Sequence, residues 1–504
     1  MSEVTLLPND VYNRELIEQV HPSGWQNPAP NGRYNLLVIG GGAAGLVCAV
    51  GAAGVGAKVA LVEKHLLGGD CLNTGCVPSK AIIRSAKVIG DIQKAAQLGI
   101  HVPEGTTANF SEVMTRMRKI RADISHHDSA ARFTSMGIDV FWGEGKFTSG
   151  STFAVGGKTI EFKKAVIATG SRAAELPIPG LAETGYMTNE TFFQLTERPL
   201  RLAVIGAGSI GSELAQAMQR LGTQVSLFDI LPQVLGREDR DAAAIVQKQM
   251  EKDGVNLCLG TNITQIQQTE AGKIIEFTTA GHPETVLVDK ILLAVGRCPN
   301  VENLGLGVAQ VEYTKTGVTV NDKLQTTNKN IYAAGDVALR YQFTHTADAA
   351  ARIVLQNALF LGRKKFSSLT IPAVTYTDPE VAHVGVYPAE AEAQGIQIDT
   401  YTTYLQEIDR GRTDGEEAGF VKIHVKKGSD KILGATIVAS HAGDMISEVT
   451  LAMVGKLGLN TMQQVIHPYP TLAEAIRKTA DAWNRTRLTP TVAKVFDKWL
   501  AWNR

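Results

Sequence analysis

A strand, a glycine-rich loop and a helix follow one another twice in this chain, and that recurrence constrains its fold more than any other feature. "YNLLVIGGGAAGLVCAVGAAGVGAKVALVEK" runs from an apolar stretch, Leu36 to Ile39, through Gly40, Gly42 and Gly45 into a small-residue helix. A second strand follows and ends at Glu63. "LAVIGAGSIGSELAQAMQRLGTQVSLFD" repeats the pattern with Gly206, Gly208 and Gly211, and Asp229 closes its second strand. Each acidic residue stands 23 positions after the first glycine of its loop. One glycine loop is a weak signal; two in matched context are specific. The first glycine permits the tight turn, the second lets a pyrophosphate approach the backbone, and the third lets helix and strand pack closely. The acidic residue accepts hydrogen bonds from a ribose. Two such βαβ units predict two bound dinucleotides.

At 504 residues the chain is long enough for about three domains. "KAVIATGSR" and "KILLAVGRCPN" are similar apolar strands that end on a glycine turn, at Thr169 and Gly170 in the first and Gly296 in the second. "TTNKNIYAAGDVA" is a further strand ending at Gly335 and Asp336. From about residue 369 the texture changes to alternating strands such as "GFVKIHVKK" and "KILGATIVAS", then helices, which predicts an α+β domain. Residues 1–33 are polar and read as an extension. Fifty basic and fifty acidic side chains cancel, so no net field draws the chain to nucleic acid. Five cysteines exclude a secreted disulfide framework. The N-terminus lacks a signal-peptide core, and no run of about 18 apolar residues occurs, so a soluble cytoplasmic protein is expected.

"GGDCLNTGCVPSK" places Cys71 and Cys76 five positions apart. A structural brace, a metal site and an electron carrier are the three readings. A disulfide closing so short a loop would stabilise by about 2 kcal/mol, a weak brace. Zinc takes four ligands and only His65 lies nearby, so no metal site is assigned. On a regular helix the two residues would point apart, so an irregular turn is required; Gly75 and Pro78 supply one.

Together these pieces, in this order from about Tyr34 to Ala475, resemble the class I pyridine nucleotide-disulfide oxidoreductases, which include dihydrolipoamide dehydrogenases, glutathione reductases and mercuric reductases. The resemblance implies an α/β fold with two Rossmann-like dinucleotide-binding domains and a C-terminal α+β dimerisation domain. The implied layout is an N-terminal extension (1–33), an FAD-binding domain (34–180 and 299–368) and an NAD(P)-binding domain (181–298). A dimerisation domain (369–480) and an amphipathic aromatic tail (481–504) follow. It implies a homodimer in which each chain completes its partner's site. Asp336 would bind the flavin's ribityl chain. Cys71 and Cys76 match the redox-active disulfide, with Cys71 the outer interchange thiol and Cys76 the thiolate against the flavin. Lys80 would place a cation near the flavin, paired with Glu213. "QFTHTADAAARIV" resembles the helix whose N-terminus faces the flavin, where its dipole favours negative charge; His345 within it is given no chemistry. Asp229 would accept from a ribose 2′-hydroxyl and repel a 2′-phosphate, which favours NADH over NADPH, with Arg237 nearby as a counterweight.

The substrate side departs from the common pattern. The family's His-Pro-Thr-x-x-Glu, whose histidine serves as acid–base group, appears here as "HPYPTLAEA". Pro470, Thr471 and Glu474 match it, so Tyr469 takes the histidine's place and His467 lies two residues upstream. Tyrosine, with a pKa near 10, is a poor base for a thiol. Mercuric reductases also have tyrosine there, but their C-terminal cysteine pair is missing, since no cysteine follows Cys298. The expected activity is NAD(P)H-dependent electron transfer through FAD and the cysteine pair to a thiophilic small-molecule or metal-ion acceptor, mercuric-reductase-like: mercuric ion or a related metal or quinone. The alternatives are a dihydrolipoamide-dehydrogenase-like disulfide reductase using His467, and a redox-sensing docking flavoprotein with little turnover. In the tail, Val492, Val495, Phe496, Trp499 and Trp502 share one helical face, which either packs in the dimer or lies on a membrane surface.

Overall fold

The structure is a computed structural model that describes residues 4–504. Strand β1 (Tyr34–Ile39) lies in parallel between β2 (Val59–Glu63) and β4 (Lys158–Ile167), with β3 (Ile138–Trp142) beyond β2. The strand Ile331–Ala333, from the far side of the sequence, completes the sheet against β4. Leu36 and Val38 face one core while Leu37 and Ile39 face another, as strand alternation requires. Burial on both faces is why β1 reads as an unbroken apolar run. Helix α2 (Ala43–Gly54) follows the first glycine loop and packs on α7 (Thr344–Leu359). At Gly51 a Cβ would come within 2.4 Å of Leu355, so glycine sets that helix spacing.

The second glycine loop joins β5 (Arg201–Ile205) to α6 (Ser209–Arg220) and then β6 (Gln224–Asp229). Asn256–Leu259 and Lys290–Leu293 flank these two strands in a four-stranded parallel sheet. The chain enters and leaves this unit along two short segments, Ser171–Ala173 and Arg297–Pro299, which pair antiparallel. A five-stranded antiparallel sheet spanning Pro372 to Ala439 forms the third unit, covered by α8 (Ala442–Val454) and α9 (Glu474–Thr486).

Two boundaries differ from the sequence reading. In its described part, the segment read as an extension is built into the first unit. Helix α1 (Val11–Val20) packs on α5 (Phe110–Ser125) and buries Leu16 and Val20 completely. Arg118 binds Asp10 at 2.5 Å, and Asn27 pairs with both backbone groups of Trp142 on the sheet edge. The sequence hid this because the helix buries only two apolar residues and is held mostly by polar contacts. The tail boundary at 481 falls inside α9. The separate element is α10 (Pro490–Trp502), no residue of which is buried. Among the described residues, no helix is long and apolar enough to cross a membrane.

Candidate active site

The two glycine loops are built alike down to single atoms. Gly40 and Gly206 have φ of +107° and +103°, and a Cβ on Gly45 or Gly211 would lie 1.8 Å from the carbonyl oxygen of Gly40 or Gly206. These positions need glycine for the fold itself. Gly42 and Gly208 do not: a Cβ there would meet nothing closer than 3.7 Å at Gly42 and nothing within 4 Å at Gly208. Both begin a helix with no side-chain cap, so the free N–H groups of α2 and α6 face a ligand-accessible approach. Glu63 accepts from Gly41 N at 2.6 Å, and Asp229 accepts from Ala207 N at 2.7 Å. Each carboxylate thereby holds its own loop in shape. The loops open onto one continuous cavity of about 2770 Å³, lined by Gly40, Gly42, Glu63, Gly206, Gly208 and Asp229 among others. Its volume is well above the range of about 300–1,000 Å³ typical of a single small-molecule site. The two loops and this volume therefore suit two dinucleotides.

Thr169, Gly170 and Gly296 also line this cavity, where the two units meet. Asp336 accepts from Ser171 at 2.7 Å and has Arg297 Nε 3.6 Å away. Arg297 also bonds Asp70, which ties this cluster to the cysteine turn. Burial raises the Asp336 carboxyl, with Ser171 and Arg297 opposing it.

Cys71 lies in α3 (Gly69–Asn73) and Cys76 is the first residue of α4 (Cys76–Lys94). The break falls at Thr74 and Gly75; a Cβ on Gly75 would come within 2.8 Å of the Asp70 carbonyl. Pro78 is tolerated because the first helical turn has no N–H partner to lose. Both thiols are free and line the cavity. A hydrogen bond from Cys71 holds the Cys76 thiol down at about 6, against the cost of burial, with Thr344 and Lys80 assisting. The same bond, together with burial, pushes the Cys71 thiol far up. The pair is therefore polarised, with Cys76 the more acidic thiol. Lys80 Nζ donates to Glu213 Oε2 at 2.8 Å and stands 4.5 Å over the Tyr376 ring. Tyr376 N donates to the other Glu213 oxygen at 2.8 Å.

Tyr469, His467 and Glu474 do not join this group within one chain: none of them lines the cavity. Tyr469 is 71% exposed, and its hydroxyl donates to Asp409 at 2.9 Å rather than to Glu474. That bond raises the phenol's pKa. Glu474 binds Arg477 at 3.1 Å and keeps its second oxygen buried without a partner. His467 pairs instead with Glu448, at 3.0 Å. Sequence reasoning missed Thr344, Tyr376, Asp409 and Glu448. Only Thr344 carried a signal, as the start of the helix expected at the flavin.

The sequence profile of the pyridine nucleotide-disulphide oxidoreductases matches residues 34–351, and that of the family's dimerisation domain matches 371–480. The chain belongs to this family, in its class I. It is 34% identical over 451 residues to a mercuric reductase of Staphylococcus aureus, covering 89% of this chain and 82% of that one. It is likewise 34% identical over 461 residues to a dihydrolipoyl dehydrogenase of Chlamydia trachomatis, covering 89% and 97%. Among solved structures, the HOCl-induced flavoprotein disulfide reductase RclA of Escherichia coli superposes with a TM-score of 0.79 at 26% identity, over 89% of this chain and 99% of that one. RclA has also been solved as a Cu(II) complex, with a TM-score of 0.80. Members of this family use FAD and NAD(P)H, and the dimerisation domain supports a homodimer. Mercuric reductase and dihydrolipoyl dehydrogenase relatives stand at the same identity, so likeness selects the family and the acceptor must be argued from the site.

Proposed function

We propose that this flavoenzyme passes electrons from NAD(P)H through the Cys71–Cys76 pair to a thiophilic metal ion, mercuric-reductase-like, in the cytoplasm. The observation that carries this reading is Tyr469, whose hydroxyl is committed to Asp409 and whose pKa is raised. Reducing a disulfide requires a group that takes a proton from one thiol and returns one to the leaving sulfur. A phenol held in this way does neither near neutral pH. A metal ion taken up by two sulfurs and reduced by two electrons needs no such relay. The mercuric reductase relatives and the Cu(II) complex of RclA support a metal acceptor.

Bound FAD supplies the two-electron exchange between nicotinamide and disulfide. Gly42 and the α2 N-terminus would hold its pyrophosphate, Glu63 its ribose and Asp336 its ribityl chain. Gly208 and the α6 N-terminus would hold the nicotinamide coenzyme, with Asp229 favouring NADH. Thr344 and Lys80 keep Cys76 ionised, Glu213 holds Lys80 in place, and Cys71 meets the acceptor. A second reading, dihydrolipoamide-type disulfide reduction, has one observation in its favour: the His467–Glu448 pair, in which a carboxylate steadies an imidazole. The exposed apolar face of α10 is read as packing in the homodimer, because only Arg487–Thr489 separate it from α9 of the dimerisation domain. Steady-state NAD(P)H oxidation with mercuric ion, Cu(II), lipoamide and glutathione disulfide tests the proposal. Preference for the disulfides would overturn it.

A further inference from the structure

The family profile begins at Tyr34, yet the cavity does not begin there. Val4, Thr5, Leu6 and Leu7 form part of its wall, together with Glu63, Lys64 and His65 at the end of β2. Val4 and Leu6 pack against the same core as Leu66, Leu67 and α2. Behind them the segment is fastened at successive points. Asp10 caps α1 and binds Arg118, and Asn13 accepts from Arg121 at 2.5 Å. Arg121 also donates to the Asn73 carbonyl at 2.7 Å, just past Cys71. Leu67 N donates to Val20 O at 3.1 Å.

His21 closes the run. It is 6% exposed, its ring lies 4.3 Å from that of Trp142, and Nδ1 bonds the carbonyl of His65. A carbonyl only accepts, so Nδ1 carries a proton in this bond and Nε2 is the ring's remaining polar atom. His21 lines the cavity, and Nε2 makes no hydrogen bond to the described residues. An apolar edge and an imidazole nitrogen thus stand beside Glu63, the residue assigned to the FAD ribose.

We propose that residues 4–21 form a strap over the adenosine end of the FAD site, with Val4, Leu6 and His21 slowing the release of FAD. Val4 and Leu6 cover the apolar side of the cofactor, and His21 Nε2 hydrogen-bonds a polar group of the adenosine. The strap makes no electron-transfer contact; it is a retention element, and the nearby turn carrying Cys71 shares its anchor at Arg121.

The test uses the purified FAD-loaded protein and a form lacking residues 1–9, which keeps α1 and its Asp10 cap. Flavin fluorescence after dilution reports FAD release, and thermal unfolding of the FAD-stripped proteins reports the fold. Release about tenfold faster, with the stripped proteins melting alike, is the expected result. A Leu6→Ser, His21→Phe double variant should release FAD faster in the same way. Unchanged release in both variants overturns the proposal. So does faster release matched by an equal loss of stability in the stripped protein, which would mark the segment as a brace for the fold.

Discussion

Cys76 Sγ lies 3.2 Å from the hydroxyl of Thr344, the first residue of the 16-residue helix α7. An anionic sulfur at that position gains a hydroxyl donor and the positive end of a helix dipole together. The same N-terminus borders the cavity that both thiols line.

The ionisation of Cys76 should therefore be visible. Two-electron reduction should give long-wavelength absorbance from a Cys76 thiolate–flavin charge transfer. With its pKa lowered to about 6, the thiolate forms above that pH, so the band should grow as pH rises through about 6. Thr344→Val and Lys80→Met each remove a stabilising partner and should move that midpoint upward. Cys76→Ser should abolish the band, while Cys71→Ser should show it without reductant. A spectrum unaltered by either cysteine change would rule out both assignments.

Asp229 should set coenzyme preference. Its two oxygens accept from Ala207 N and Leu231 N, so the isosteric Asp229→Asn change removes the charge and keeps one of these two bonds. The kcat/KM ratio should move toward NADPH by roughly tenfold, the equivalent of about 1.4 kcal/mol of relieved repulsion. An unchanged ratio would mean that Asp229 does not face the ribose.

Tyr469 should govern the acceptor. Tyr469→His should raise glutathione disulfide or lipoamide reduction by up to about 10²-fold, if Glu474's unpartnered oxygen accepts from the new imidazole. Tyr469→Phe should slow metal reduction and leave hydride transfer to the flavin intact in stopped-flow measurements. Strong lipoamide turnover by the unaltered protein, lost in His467→Ala, would instead make the His467–Glu448 pair the working base.

The aromatic tail gives a fourth expectation. Val495, Phe496, Trp499 and Leu500 are each more than half exposed on α10. If they pack in the dimer, a chain ending at Pro490 should dimerise more weakly in sedimentation experiments. Both forms should then leave anionic vesicles unbound. Vesicle binding by the full chain alone would assign the helix to a membrane surface.

What could be read from the sequence was whatever is local along the chain. The matched glycine loops, the acidic residues 23 positions on, the broken helix at Cys71 and Cys76, and the Lys80–Glu213 pair all follow from short-range spacing or from a family pattern carried by it. Thr344 reaches Cys76 from 268 residues away and Tyr376 reaches Lys80 from still further, through a helix and a sheet whose docking no local pattern encodes. The acid–base loop shows the opposite limit. Its motif was legible, but Tyr469 turns to Asp409, 60 residues upstream, and Glu474 is left to Arg477. The N-terminal segment is polar in composition yet part of the domain, because Asp10, Asn13 and Asn27 commit their polar groups to binding it.

The paired segments Ser171–Ala173 and Arg297–Pro299 have a consequence for how such a protein can change. Everything between them leaves and rejoins the flavin-side sheet through one ribbon, so its two ends are already side by side. A unit inserted in this way behaves as a cassette with a condition: it also carries Glu213, which holds Lys80, so an exchanged unit with a different nicotinamide preference must bring an equivalent carboxylate. A lineage can then retune its electron supply within one polypeptide so long as the replacement keeps that contact with the cysteine helix.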